Sequence, residues 1–319
     1  MNRRSVIVAL LAMLLPLAPA AAQELPKKMT IVVGFAAGGA ADHAARLVAK
    51  RLADNLGLNV VVDNKAGAGG NIAHQAVANA TPDGSTILLG SIGPLAIAPH
   101  LMKLGYDPQK DLAPLTMGVN FPSVLVVPPG LGVKTLAELI ALAKKQPGVL
   151  NYGSTGAGSA SHLAGELFNQ LASVDIVHIP YKGGAPAVTE LLGGRLSMYF
   201  ATMSTAAPHI AAGKLIPLAT TGLQRASFLP DLPAVHEVLP GFVATNWYAF
   251  VAPGRTPAPL LDRLNQELVK ALKSPEVSDE LTRSGLLPAP GTRDELAKFI
   301  ETESKTWGQV VAERKITAN

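Results

Sequence analysis

Three glycine-rich loops, each set between an apolar run and a helical pattern, constrain this chain more than any other feature. Gly34-Phe-Ala-Ala-Gly-Gly39 follows the β-rich run 30–34 and precedes 41–52, where Ala41, Ala45, Val48 and Leu52 recur at helical spacing. Gly67-Ala-Gly-Gly70 lies between a strand pattern at 60–63 and a helical pattern at 71–79. Gly153-Ser-Thr-Gly-Ala-Gly-Ser159 follows 150–153 and precedes a helix at 161–171. Alternation this regular predicts βαβ units and parallel sheets. Ligands of open α/β sheets sit outside the C-terminal ends of strands. Glycine lets backbone N–H groups approach a ligand closely, and the following helix N-terminus adds free donors and partial positive charge. The loops at Gly34 and Gly153 are therefore expected to bind an anion without Arg or Lys. The loop at Gly67 reads as a tight turn.

Further strands are expected at 86–89, 115–119, 124–127, 174–178, 198–200, 215–219 and 247–251, and a helix at 185–192 stopped by Gly193-Gly194. Thr135-Leu-Ala-Glu138 and Thr292-Arg-Asp-Glu295 are capping boxes. The tail reads as all helix, with Leu261, Leu264, Leu268 and Leu272 on one face, then Leu296, Phe299, Ile300, Trp307, Val310 and Val311. Having no strands of its own beyond 247–251, it should pack back on the first sheet. The chain then crosses between two lobes near 121–125 and near 246–250, which makes a hinge over a cleft. The expected division is residues 23–123 with 248–319 as lobe 1, and 124–247 as lobe 2. Trp247 and Tyr248 are expected to pack at the hinge, Phe35 to give the cleft an apolar cap, and Lys182 to stand at its mouth or in solvent.

Residues 1–22 have the pattern of a cleaved export signal. Arg3 and Arg4 precede an apolar core at 6–17, and Ala20-Ala21-Ala22 fits the small-x-small cleavage rule. No cysteine follows, so a lipoprotein anchor is excluded, and no later stretch reaches the ~20 apolar residues of a membrane span. A periplasmic or extracellular product is expected. With 319 residues, 48% of them hydrophobic, two domains can each bury a core. Zero cysteines exclude disulfides, a thiol nucleophile and cysteine metal sites. The net charge of +4, with no basic block, argues against nucleic acid as a partner.

Catalytic patterns are weak. There is no P-loop, no G-x-S-x-G and no H-E-x-x-H, and no two of the seven histidines lie at i, i+4. Gly156-Ala-Gly-Ser-Ala-Ser161 is half of a dinucleotide fingerprint, and Asp175 stands at the wrong end of its strand for a ribose. Neither metal nor cofactor is expected. His162, near the serine-rich loop, reads as a cap or supporting residue; as a base for Ser154 or Ser159 it would lack an orienting acid.

Five stretches, taken in order and spacing, resemble the extracytoplasmic receptors of tripartite tricarboxylate transporters, the Bug-type family. They are Ile31-Val-Val-Gly-Phe-Ala-Ala-Gly-Gly39; Val62-Asp-Asn-Lys-Ala-Gly-Ala-Gly-Gly-Asn71 with Thr81-Pro-Asp-Gly84; Tyr152-Gly-Ser-Thr-Gly-Ala-Gly-Ser-Ala-Ser-His-Leu163; Pro180-Tyr-Lys-Gly-Gly-Ala-Pro-Ala187 with Leu191-Leu-Gly-Gly194; and Leu229-Pro-Asp-Leu-Pro233 with Pro240-Gly-Phe242. The resemblance implies a two-lobed α/β fold of the periplasmic binding protein type, each lobe a mainly parallel sheet flanked by helices. It implies a monomer that closes on a small organic carboxylate and delivers it to membrane permease subunits. The ligand contacts it implies are Phe35, Ala36, Ala37, Gly38 and Gly39; Ser91; Ser154, Thr155, Gly158, Ser159 and His162; Lys182, Gly184 and Ala185; and Ala201 and Thr202. Where the family often has Phe-Asp-Asn or Phe-Asp-Ser, this chain has Phe200-Ala-Thr-Met203, so a ligand's amino or hydroxyl group loses a partner there, and a plain or aromatic carboxylate is expected rather than an amino acid. A soluble sensor feeding a signalling system, and an exported hydrolase using Ser159 and His162, are the alternatives.

Overall fold

The computed structural model describes residues 25–226 and 229–317, so the export-signal pattern at 1–22 lies outside the described residues. Strand β1 (Lys28–Val33) leads through the first glycine loop to helix α1 (Ala40–Leu56), which Gly57 ends in the left-handed conformation at φ 64°. β2 (Asn59–Asn64), α2 (Asn71–Ala78) and β3 (Thr86–Ser91) complete a βαβαβ unit in which β1 pairs in parallel with both neighbours. β4 (Leu112–Pro122) belongs to the same sheet, and β5 (Val124–Val127) belongs to a second one, so the chain passes between sheets at Ser123.

The second unit runs α3 (Leu136–Lys145), β6 (Asn151–Ser154), α4 (Ala160–Ala172), β7 (Val177–Pro180), α5 (Gly184–Leu192), β8 (Met198–Ala201), α6 (Met203–Ala211), β9 (Ile216–Thr220) and the short α7 (Val235–Val238). β10 (Thr245–Pro253) then rejoins the first sheet, followed by α8 (Ala258–Leu272), α9 (Pro275–Arg283), β11 (Leu287–Pro288) and α10 (Arg293–Arg314). The six-stranded sheet has the order β11-β4-β10-β3-β1-β2, and the five-stranded sheet β7-β6-β8-β5-β9.

The α/β expectation holds, with one correction: the sheets are mixed rather than mainly parallel. β1, β2 and β3 are parallel, as are β6, β7 and β8, whereas every pairing of β4, β5, β10 and β11 with its neighbours is antiparallel. These are the strands beside the crossings and the tail, and they enter without the right-handed crossover helix that a parallel neighbour needs. The return also comes earlier in the chain than expected. Asn246 and Phe250 already pair with Phe121 and Thr116 in mid-sheet, so the passage is over by Thr245.

Two smaller expectations fail for local reasons. The strand expected at 174–178 starts at Val177, because Asn169 grips Ile176 from both sides, Nδ2 to its carbonyl at 2.9 Å and Oδ1 from its N–H at 3.2 Å. The tail is not all helix: Leu287 and Pro288 pair with Asn120 and Val119. Both capping boxes form. α8 buries Leu261, Leu264, Leu268 and Leu272 against the first sheet, and α10 buries Leu296, Ile300, Trp307 and Val311, leaving Phe299 at the rim with its ring 5.4 Å from Trp247. Each sheet thus carries its own core on both faces, and the strand ends bearing the glycine loops face each other.

Candidate functional site

A narrow cavity with about 30 Å3 of water-accessible space lies where the two sets of strand ends meet. Lobe 1 contributes Phe35 and Gly39 from the β1–α1 loop, Ala40 and Ala41 from the first turn of α1, Ser91 at the end of β3 with Ile92 and Gly93 after it, and Asn246 and Tyr248 from β10. The second lobe contributes Thr155 and Ser159 from the β6–α4 loop, Ala160 and Ser161 from the first turn of α4, Gly184 at the start of α5, Tyr199 and Phe200 from β8, and Thr202, the cap of α6. Ser123, on the crossing, completes the wall.

No charged side chain lines this cavity among the described residues. Four helix N-termini do open on it. Gly39 caps α1, Ser159 caps α4, Gly183 precedes Gly184 of α5, and Thr202 caps α6. The first N–H groups of a helix have no partner within it, and each end carries a partial positive charge of up to about half an elementary charge. Positive potential is thus supplied by backbone alone. The Ser91 hydroxyl is buried at the wall with no hydrogen-bond partner among the described residues.

The two main loops are held by different means. In lobe 1, Gly38 N–H donates to the Asp42 carboxylate at 3.0 Å, and Arg46 Nε donates to the same oxygen at 3.0 Å. Burial pushes the Asp42 carboxyl up, but hydrogen bonds from Arg46, Gly38 and Asn64 outweigh it and leave the pKa below the ordinary range. In lobe 2 the anchors are neutral. Thr155 N–H donates to Ser161 Oγ (3.0 Å), Gly156 N–H to Ser154 Oγ (3.0 Å), and Gly158 N–H to His162 Nδ1 (3.2 Å). Ser159 Oγ accepts the backbone N–H of His162 at 3.4 Å, so serine and imidazole ring are not joined as nucleophile and base.

The lobes touch through bare backbone. Ala36 N–H donates to the Lys182 carbonyl at 2.9 Å. A Cβ on Gly156 would stand 2.5 Å from Gly69 N, one on Gly93 2.8 Å from the Gly158 carbonyl oxygen, and one on Gly69 would overlap the Ala157 carbonyl. Only glycine permits this approach.

Of the residues expected from sequence, Phe35, Gly39, Ser91, Thr155, Ser159, Gly184 and Thr202 reach the cavity wall. Ala36, Ala37, Gly38 and Ala185 flank it, whereas Ser154, Gly158 and His162 support the loop from beneath. The Lys182 side chain is exposed, and its carbonyl rather than its ammonium makes the contact between lobes. Ala201 is fully buried in the second lobe's core beside Val124 and Val126. Sequence reading missed Ser123, Ser161, Tyr199, Asn246 and Tyr248 as wall residues. Ser123, Asn246 and Tyr248 stand on or beside the crossings, which was the available signal. Tyr248, expected as hinge packing, does both: its ring lies 5.0 Å from Phe121 and 6.5 Å from Phe35 at the wall. The loop at Gly67 is neither a mere turn nor part of the wall, since Gly69 meets Gly156 and Ala157 of the other lobe.

Residues 44–316 match the profile of the Tripartite tricarboxylate transporter family receptor. Protein BugT of Bordetella pertussis is 38% identical over 300 residues, covering 93% of this chain and 92% of its own. A solved R. palustris protein, Rpa4515 with adipate, superposes with a TM-score of 0.87 at 34% identity, over 91% of this chain and 98% of its own. MatC from Rhodopseudomonas palustris with bound malate gives 0.85 at 32% identity, over 89% and 98%.

Proposed function

This chain belongs to the tripartite tricarboxylate transporter receptor family, a family of periplasmic solute-binding proteins, and from that premise we propose that it captures a small organic carboxylate in the cavity between its lobes and hands it unchanged to membrane permease subunits. The observation that carries the reading is the convergence of four helix N-termini on a cavity without a cationic side chain. A carboxylate there accepts N–H and hydroxyl donors that have no partner inside their own helices. The adipate and malate held by two structural neighbours support the ligand class.

The same cavity disfavours amino acids. An ammonium group finds no Asp or Glu on the wall, and its desolvation would go uncompensated. The ligand is therefore a carboxylate whose remainder is apolar, hydroxylated or anionic. The proposed lobes are residues 23–123 with 248–319 and residues 124–247, with the second boundary moved to just before Thr245, where β10 begins in the first sheet, and the hinge at Ser123 and in the stretch after β9. The export pattern at 1–22 supports a periplasmic location for the mature protein, which we read as a monomer.

The test is a thermal-shift and calorimetric panel on the protein lacking residues 1–22, with acetate, benzoate, malate, adipate, aspartate and glutamate. At 100 times its dissociation constant a true ligand stabilises by about 2.7 kcal/mol. A shift with one or more simple acids, and less with aspartate and glutamate, is expected. Tighter binding of the two amino acids would overturn the ligand class, and turnover of acyl esters abolished by Ser159→Ala would overturn the receptor reading.

A further inference from the structure

Beneath the β6–α4 loop lies a cluster that the cavity does not use directly. The His162 and His178 rings pack with centroids 4.2 Å apart and planes tilted by 32°, and Tyr152 stacks on His178 at 5.0 Å. Ser154 Oγ lies 2.6 Å from His178 Nε2. That hydroxyl also accepts the Gly156 N–H, and Ser154 is fully buried. Its own proton has no acceptor among the described residues other than His178 Nε2, so Ser154 donates and His178 accepts. The Gly158 N–H can only donate, so His162 Nδ1 accepts and the His162 proton sits on Nε2. That Nε2 is buried without a partner among the described residues, a cost that a replaceable core residue would not carry.

We propose that His162 and His178 are positioning residues for the ligand-binding loop: as a close-packed pair of imidazoles they accept, directly from Gly158 and through Ser154 from Gly156, and so fix the two glycines that set the aim of Thr155 and Ser159. The proposal rests on the receptor reading and adds to it the parts that hold the loop. Gly156 and Gly158 have φ of +121° and +73°, a shape with little intrinsic preference that tethers must select. With their N–H groups tied back, the hydroxyls of Thr155 and Ser159 and the free N–H groups at the start of α4 are left for the cavity. Burial, and for His162 also the neighbouring His178, keeps both rings neutral, His162 at about 3 and His178 at about 4. Glu166 does not reach them directly; its carboxylate takes the Tyr152 hydroxyl at 2.6 Å.

Two measurements test this. Long-range 1H–15N spectra of the histidine rings in the wild-type protein, at pH 7 and without ligand, are expected to show an unprotonated Nδ1 at His162 and an unprotonated Nε2 at His178. In the second, His162→Leu and His178→Leu are compared with His162→Asn and His178→Gln, whose amide oxygens replace the lost acceptors. Each leucine variant should bind the best acid of the panel about tenfold more weakly, the size expected for one orphaned buried donor, and each amide variant should recover to within about threefold of wild type. A His162 protonated on Nδ1, or leucine variants that bind as wild type, would overturn the proposal. The spectra need neither ligand nor variant, so failure of every acid to bind counts against the receptor reading alone.

Discussion

The two loops that meet across the cleft look alike in sequence and do different work. Gly67-Ala-Gly-Gly70 opens α2 with His74 in its first turns, and Gly156-Ala-Gly-Ser159 opens α4 with His162. Both carry positive-φ glycines and both histidines are fully buried. Yet the first loop presents bare backbone to the other lobe, and the second presents hydroxyls to the cavity. The histidines also hold their loops in opposite senses. His74 Nδ1 faces the Gly70 carbonyl at 2.9 Å and must carry the proton, leaving Nε2 to accept Ser91 N–H at 3.4 Å; His162 Nδ1 is bare and accepts. A glycine turn with a helix behind it is therefore not yet a binding site. The residue at the cap and the hydroxyls around it decide whether the turn binds a ligand or a second lobe.

The largest effect tests what the loops share. His74, like His162 and His178, is neutral in the fold, with burial lowering it from 6.5 to about 4. The unfolded chain binds the extra proton between pH 6.5 and about 4, so unfolding free energy falls as pH drops through that window; the contribution is fully present above pH 6.5 and gone below about 4. For His74 alone the loss is roughly 3 kcal/mol. Urea melts at pH 7, 6 and 5 should show the decline, and His74→Gln should flatten it by up to ~1.4 kcal/mol per pH unit. An unchanged slope in that variant would mean that His74 is not the neutral buried group described.

Next comes the contact itself. Gly156→Ala puts a Cβ on Gly69 N at a backbone φ of +121° that alanine resists. The expected result is about hundredfold weaker binding of the best acid, or roughly 3 kcal/mol, with small-angle scattering showing an expanded average form. Gly67→Ala is the control on the other side. There the new methyl meets only the far end of Ile72, and binding should change little even though the strained φ of +140° costs stability. Equal losses of binding in both variants would dissolve the distinction between contact and turn.

How much of this was legible in the chain follows the same line. Apolar runs, capping boxes and glycine stops are local signals, so β1, α1, α3, α8 and α10 could be placed from sequence nearly as they stand. Strand direction at the crossings was not legible, because β10 and β4 pair over a separation of more than a hundred residues and nothing in either run encodes antiparallel entry. At the site, Phe35, Gly39, Thr155 and Ser159 were readable from loop grammar, since strand-end glycines with a helix behind them have few other arrangements. Tyr199 was not, because it reads as one more apolar strand residue, and only the fold brings its hydroxyl to Gly184. His178 was passed over for a related reason. Its partner Ser154 lies on the neighbouring strand, two positions beyond Tyr152, the residue that the β6–β7 register sets opposite His178, so only the pairing brings the two side chains together.

The smallest expected effect is the sharpest on the comparison. Ser159→Gly turns Gly-Ala-Gly-Ser into the Gly-Ala-Gly-Gly of the first loop, whose helix α2 already starts on a glycine with no side-chain cap. Glycine is a tolerable cap, so stability should fall by only a few tenths of a kcal/mol. Binding loses one hydroxyl from the wall, about 1 kcal/mol, and the affinity for the best acid should drop roughly fivefold. The two readouts separate the roles of that side chain. A loss of stability with unchanged affinity would make Ser159 a cap and nothing more, and the difference between the loops would then rest on Thr155 and Ser161 alone.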